Sequence, residues 1–271
     1  MEKLNLKFFS NSDINFAWRN RSIWSKNLDV NYNLTSVSQF VLNNLEMFKK
    51  VKSVNTLFTE SDKYTKKYVE WSVTNLKNEG IHVSTSEEEK LDLANFYKGY
   101  IGEFFYLNVF LNYTCTKFVK SANGGLSPES FDVVLPSGVL NKPDKGMDGM
   151  FMNGRCENGV IQVKFHNPKE ELSNPITKDI IDKAQRDGQR HKIISQDDTH
   201  YNTLICKTGN LFPTVIRDDE FMSKEVMVMD SDTVDKSLKF NNSEQYFWKV
   251  YLPEMFSIDF NKLQGNHSKR L

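Results

Sequence analysis

Two short apolar runs and the turn between them constrain this chain more than any other feature. Met147–Met152 and Val160–Phe165 are joined through Asn153–Asn158, with Asn-Gly at both ends of the connection. Asn-Gly tolerates the positive φ of tight hairpin turns, so the two runs read as paired strands. Helical spacing follows, with Ile176, Ile180, Ile181 and Ala184 on one side of a segment reaching about Lys192. Asn174-Pro175 reads as its N-cap and first helical residue. Next come strands at YNTLICK (201–207) and EVMVMD (225–230), a helix at SDTVDKSL (231–238), and SEQYFWKVYL (243–252) as the closing element. Strand, helix and strand in succession predict an α/β sheet with a right-handed crossover.

Upstream the pattern is different. Residues 1–35 are rich in Asn, Ser and aromatics; Phe16, Trp18 and Trp24 suggest an ordered extension. From Val37, Phe40, Val41, Leu45 and Phe48 recur at helical spacing, and Tyr64, Tyr68, Trp71 and Leu76 carry it on. Between residues 44 and 77, seven lysines stand against four acids. Such a stretch is either a solvated helical face or a surface that meets phosphates. TSEEEK (85–90) reads as a loop and helix start with acids near the helix N-terminus, followed by an apolar helix from about Leu91 to Tyr113. Residues 121–146, rich in Gly, Ser, Pro and Asn, read as a long loop with one strand at FDVVL. The expected organisation is an N-terminal, mostly helical region (1–90), a core (91–252) and a C-terminal tail (253–271).

The charge balance is even, with 35 basic and 35 acidic residues, which argues against nucleic-acid binding by bulk charge but leaves room for a local basic face. Cys115, Cys156 and Cys206 form neither a CxxC pair nor a disulfide framework, as suits a reducing interior. The longest apolar stretch, FFYLNVFL, is too short to span a bilayer, and the N-terminus lacks a signal-peptide core. A soluble, intracellular protein is expected, with no membrane partner. P-loop, GxSxG and HExxH motifs are absent, and the five histidines are scattered.

The polar residues inside these apolar elements are the candidates for chemistry. In VIQVKF, Ile161, Val163 and Phe165 alternate with Gln162 and Lys164. A half-exposed strand has the same alternation, so the neighbours decide. Asp148, in KGMDGMF, would face Gln162 and Lys164 across the hairpin. Glu103, in YIGEFFYLNVFL, is a carboxylate among apolar residues, a placement that normally demands a cation or donors beside it. Together Glu103, Asp148 and Gln162 offer oxygen ligands for a hard divalent cation, with the Lys164 ammonium beside them.

Helix-borne Glu103, then GMDG, then IQVK resembles the PD-(D/E)XK nuclease superfamily, in the flavour of the Mrr-like restriction endonucleases and Holliday-junction resolvases. The resemblance covers roughly Asn95 to Leu252. It implies a restriction-endonuclease-like core, a mixed central sheet flanked by helices, and a metal-dependent DNA endonuclease. Asp148 matches the metal-binding aspartate, Lys164 the catalytic lysine, and Glu103 the carboxylate of the first core helix. Gln162 stands where most members have Glu or Asp. Val163, whose only oxygen is its main-chain carbonyl, completes the expected ligand set for Mg²⁺ or Mn²⁺. Gln185, preferred over Gln189, matches a glutamine that approaches the site from the following helix; an exposed polar face is its alternative. Arg186, Arg190, His191 and Lys192 make that helix end basic, suited to a DNA backbone. Asp144, Glu157 and His166 are the weaker rivals. Double-strand cleavage would favour a two-fold homodimer. The competing reading is a non-catalytic DNA-binding or assembly protein that keeps the fold.

Overall fold

The computed structural model describes residues 45–78, 86–121, 125–137, 146–170, 176–195, 202–209 and 226–255. Expectations for Phe16, Trp18, Trp24 and the segment 37–44, and for Asp144, Asn174 and Pro175, fall outside them. The chain divides into two compact units. One comprises residues 1–52, 59–101 and 245–271; the other comprises 53–58 and 102–244.

In the first unit, helix α1 (Val54–Asn78) contributes its residues from Thr59 onward and α2 (Glu87–Glu103) those up to Ile101. Helix α2 begins where the acids predicted it, through a reciprocal cap. Ser86 Oγ accepts the Glu89 N–H at 3.2 Å, and Glu89 Oε2 accepts the Ser86 N–H at 2.8 Å. Tyr68 packs edge-on against Tyr97, and Phe48 against Tyr64. Lys63 pairs with Glu60 and Lys66 with Asp62 along α1. For these two lysines the solvated-face reading holds.

The second unit is built on a seven-stranded mixed sheet, ordered β2-β1-β7-β6-β5-β4-β3. Its strands are β1 (Lys117–Ser121), β2 (Leu126–Glu129), β3 (Phe131–Pro136), β4 (Gly149–Asn153), β5 (Asn158–Lys164), β6 (Asn202–Lys207) and β7 (Val226–Met229). β3, β4 and β5 form an antiparallel meander, and β5, β6 and β7 run parallel. Helix α3 (Lys178–Arg190) links β5 to β6, and α4 (Ser231–Phe240) follows β7. The α/β class is as expected.

Three boundaries differ from the sequence reading. The segment 121–146 is not one loop with a single strand, because β2 precedes β3. Its sequence LSPE lacks an alternating pattern; pairing with β1 (Phe118↔Pro128) makes it a strand, and proline is tolerated at the edge of a sheet. Helix α3 starts later, with Thr177 rather than Asn174 as its N-cap. The apolar helix expected from about Leu91 to Tyr113 is regular α-helix only as far as Glu103, the end of α2; Phe104–Phe110 continue it as a wider π-helical turn, six of whose seven residues are buried.

Both faces of the sheet are covered near its middle, which is why β5 is buried along five of its seven residues. On one face α3 packs Ile181 with Ile205 and Val226, and Ala184 with Val160 and Met147. The π-helical turn covers the other face. At the far side, Lys120 Nζ reaches Asp230 Oδ2 at 2.6 Å and Asp232 Oδ2 at 3.3 Å. Asp230 also caps α4 by accepting the Thr233 N–H. No helix among the described residues is long and apolar enough to cross a membrane.

Candidate functional site

The hairpin β4–β5 sets the geometry. Its turn is organised by Asn153, whose Oδ1 accepts the N–H groups of Arg155 and Glu157, both at 3.0 Å. Cys156 takes the positive φ, at 59°. Glu157 stays in that turn, with Asn153 Nδ2 at 2.7 Å and Arg155 Nε at 3.4 Å, away from the polar residues of the strands.

Register then aligns the candidates. Gly149 pairs with Ile161, so Asp148, one step further, lies opposite Gln162. The Asp148 backbone is held on both sides: its N–H donates to the Ile161 carbonyl and its own carbonyl accepts the Ser137 N–H, each at 2.8 Å. A rigid backbone aims the side chain. Asp148 Oδ2 accepts the Val163 N–H at 2.6 Å and is also hydrogen-bonded by Gln162 Nε2. The same Nε2 lies 3.4 Å from the Val163 carbonyl oxygen. Asp148, Gln162 and Val163 are therefore brought together, and Gln162 is buried.

Lys164 ends β5, is half-buried, and by strand alternation shares the face of Gln162. Its parallel neighbour is Lys207, the last residue of β6. Sequence reasoning passed over Lys207, although VIQVK and TLICK both end in lysine and their parallel alignment sets the two side by side. The Lys207 backbone is fixed by the buried Tyr106 hydroxyl, which donates to its carbonyl at 2.6 Å. Burial pushes the Tyr106 phenol well above its ordinary range, so it remains a donor. Burial likewise raises the Cys206 thiol, with the Asp148 charge adding to the effect. Cys206 is thus an inert apolar filler at neutral pH.

Glu103 arrives from the face opposite α3. A Cβ built on Gly102 would overlap the ring of Phe165, the residue after Lys164. One turn beyond Glu103, Leu107 Cδ2 would lie 2.7 Å from a Cβ on Gly149, the residue after Asp148. Glycine at both positions lets the helix settle directly on the strands, and half-buried Glu103 sits between the two contacts.

The remaining candidates are bonded to other partners. Gln185 is buried, and its Nε2 donates to Thr203 Oγ1 at 3.0 Å, tying α3 to the start of β6 beside Val160. His166 is exposed just past β5, its carbonyl bonded by the Thr208 hydroxyl. Asp187, in sequence one more charge on a polar helix end, is buried under the entry to β4 and accepts the N–H groups of Gly146 and Met147.

Among the described residues, no group of three or more His, Cys, Asp or Glu side chains could hold a metal ion. A cage of carboxylates or imidazoles is thereby absent from them. The donor set around Gln162 is of another kind: a carboxylate oxygen, a main-chain carbonyl and an amide. The Gln162 NH₂ bridges the first two. A half-turn of that amide puts Oε1 in its place, and the resulting oxygen-only donor set is of the kind a hard cation such as Mg²⁺ takes. The residues fit such an ion.

No family model, curated protein or solved structure matches the chain. The site is therefore read from its own geometry.

Proposed function

We propose that this chain is a metal-dependent endonuclease with a restriction-endonuclease-like core, hydrolysing phosphodiester bonds in DNA. The observation that carries the reading is the convergence of the Asp148 carboxylate, the Gln162 amide and the Val163 carbonyl, with Lys164 one residue on. The order of elements supports it too. A helix bearing Glu103, the Asp148 hairpin, the Gln162-x-Lys164 strand, helix α3 and two parallel strands follow one another as the resemblance to the PD-(D/E)XK nucleases implies.

In this reading Asp148, Gln162 and the Val163 carbonyl would hold Mg²⁺, with Glu103 as the further carboxylate that the resemblance implies; the ion, when bound, would lower the pKa of water and offset phosphate charge. Asp148 keeps one orientation because Val163 donates to it. Lys164 donates to a non-bridging phosphate oxygen, where negative charge grows in the transition state, and orients the attacking water. That water gives up one proton to solvent as it adds to phosphorus, the opposite P–O bond breaks, and the departing oxygen takes up a proton from solvent. The exposed Arg186 and Lys192 at the end of α3 supply contacts to the DNA backbone, since Arg190 and His191 are turned to Asp187, and a two-fold dimer would cut both strands.

One observation favours the second reading, a non-catalytic DNA-binding or assembly protein. With Gln162 Nε2 bonded to both oxygens, the polar cluster is satisfied without any cation. Cleavage of supercoiled plasmid by purified protein with Mg²⁺ or Mn²⁺, with EDTA, and by Lys164→Met separates the two. Nicking that needs the ion and falls at least a hundredfold in Lys164→Met is the expected result. DNA binding without nicking under every condition selects the second reading.

A further inference from the structure

Helix α3 is fastened to the strand that carries Asp148. The carboxylate of Asp187, 3 % exposed, accepts the Gly146 N–H at 3.2 Å and the Met147 N–H at 3.4 Å through Oδ2. Its other oxygen, Oδ1, is 2.5 Å from Arg190 Nη2 and 3.6 Å from His191 Nε2, so the last turn of α3 restrains it. The approach is close on the strand side as well. A Cβ on Gly146 would stand 2.6 Å from the Lys183 carbonyl oxygen, one turn before Asp187. Two main-chain donors next to Asp148 are thus bound to a buried side chain from another element. Asp148 is bonded on its other side to Ile161 and Ser137.

We infer that Asp187 is a positioning residue: it holds the Gly146–Met147 backbone so that the Asp148 carboxylate stays aimed at the Gln162–Val163 donor set. The inference rests on the proposed metal site. A buried acid that only stabilised α3 would need its partners Arg190 and His191, not two amides of a distant segment. Outer groups that orient a metal ligand typically change metal affinity by about ten- to a hundredfold when removed.

The test uses the full chain and compares wild type with Asp187→Ala, Asp187→Asn and Gly146→Ala. Two readouts are taken: amide hydrogen exchange of the peptide spanning 146–148, and Mn²⁺ affinity by calorimetry without DNA. Asp187→Ala should speed exchange in that peptide while leaving β6 protected, and weaken Mn²⁺ binding about tenfold or more. Asp187→Asn keeps an acceptor oxygen for the two amides and should recover most of both. Gly146→Ala should weaken Mn²⁺ binding with Asp187 intact, which keeps the inference testable if Asp187→Ala fails to fold. Unchanged exchange in Asp187→Ala, wild-type Mn²⁺ affinity in Gly146→Ala, or equal losses in the Ala and Asn variants would each overturn it. A wild type that binds no Mn²⁺ sinks the metal reading instead, while the exchange data still judge the hold by Asp187.

Discussion

Replacing Asp148 by alanine should damage activity far more than stability, and the structure sets both magnitudes. The change strips the acceptor from two donors, the Val163 N–H and the Gln162 amide, both on buried residues. Leaving a buried donor unpaired costs about 1–3 kcal/mol. Two such donors cost roughly 2–4 kcal/mol, because the Gln162 amide still has the Val163 carbonyl nearby. Removing a half-buried charge works the other way, since its desolvation penalty disappears with it. A net loss of about 1–3 kcal/mol follows, which lowers Tm by roughly 2–4 °C per kcal/mol in a chain of this size. Asp148→Asn should lose less, since its amide oxygen can still accept from Val163. Differential scanning calorimetry and urea titration measure the stabilities, and plasmid nicking with Mn²⁺ measures the activity. Both variants should lack detectable nicking, because both remove the anionic ligand. Equal destabilisation of the two variants would refute the hydrogen-bond account. Full nicking by either would place the chemistry elsewhere.

The neutral ligand Gln162 gives a second prediction: Gln162→Glu should keep nicking and lower the Mg²⁺ concentration it requires, whereas Gln162→Ala should weaken both. Identical metal titrations for all three proteins would remove Gln162 from the site. A third concerns Asp235 on α4, whose carboxyl is pushed up to about 6, chiefly by burial, with Glu244, Asp232 and Asp230 adding to the rise and Lys239 opposing it. The folded state therefore binds this proton more tightly than the unfolded chain does. The stability contributed is present below the unfolded pKa of 3.8 and is lost as pH rises through about 6. Asp235→Asn should accordingly raise Tm at pH 7–8 and have little effect near pH 4; a constant difference across that range would contradict it.

The local signals were the readable ones. Asn-Gly at the hairpin ends, alternation in VIQVK, and Ser86 with Glu89 at the start of α2 each act within a few residues, so pattern and propensity suffice to expose them. They also put Asp148 near Gln162 and Lys164 on a common hairpin face, whereas the register that sets it opposite Gln162 came from the strand pairing itself. What depended on distant partners stayed hidden. The strand β2 is a strand only because β1 pairs with LSPE, and Lys207 stands beside Lys164 only through the parallel pairing of β5 and β6. Helix α3 begins at Lys178 although Asn174-Pro175 carries the stronger local start signal. The sequence showed Glu103 as an acid in an apolar helix, but the close contacts of Gly102 with Phe165 and of Gly149 with Leu107 decide where it sits. Asp187 read as one more charge on a polar helix end. Its role comes from two amides 40 and 41 residues earlier, bonds that no local periodicity encodes and that tertiary packing alone creates.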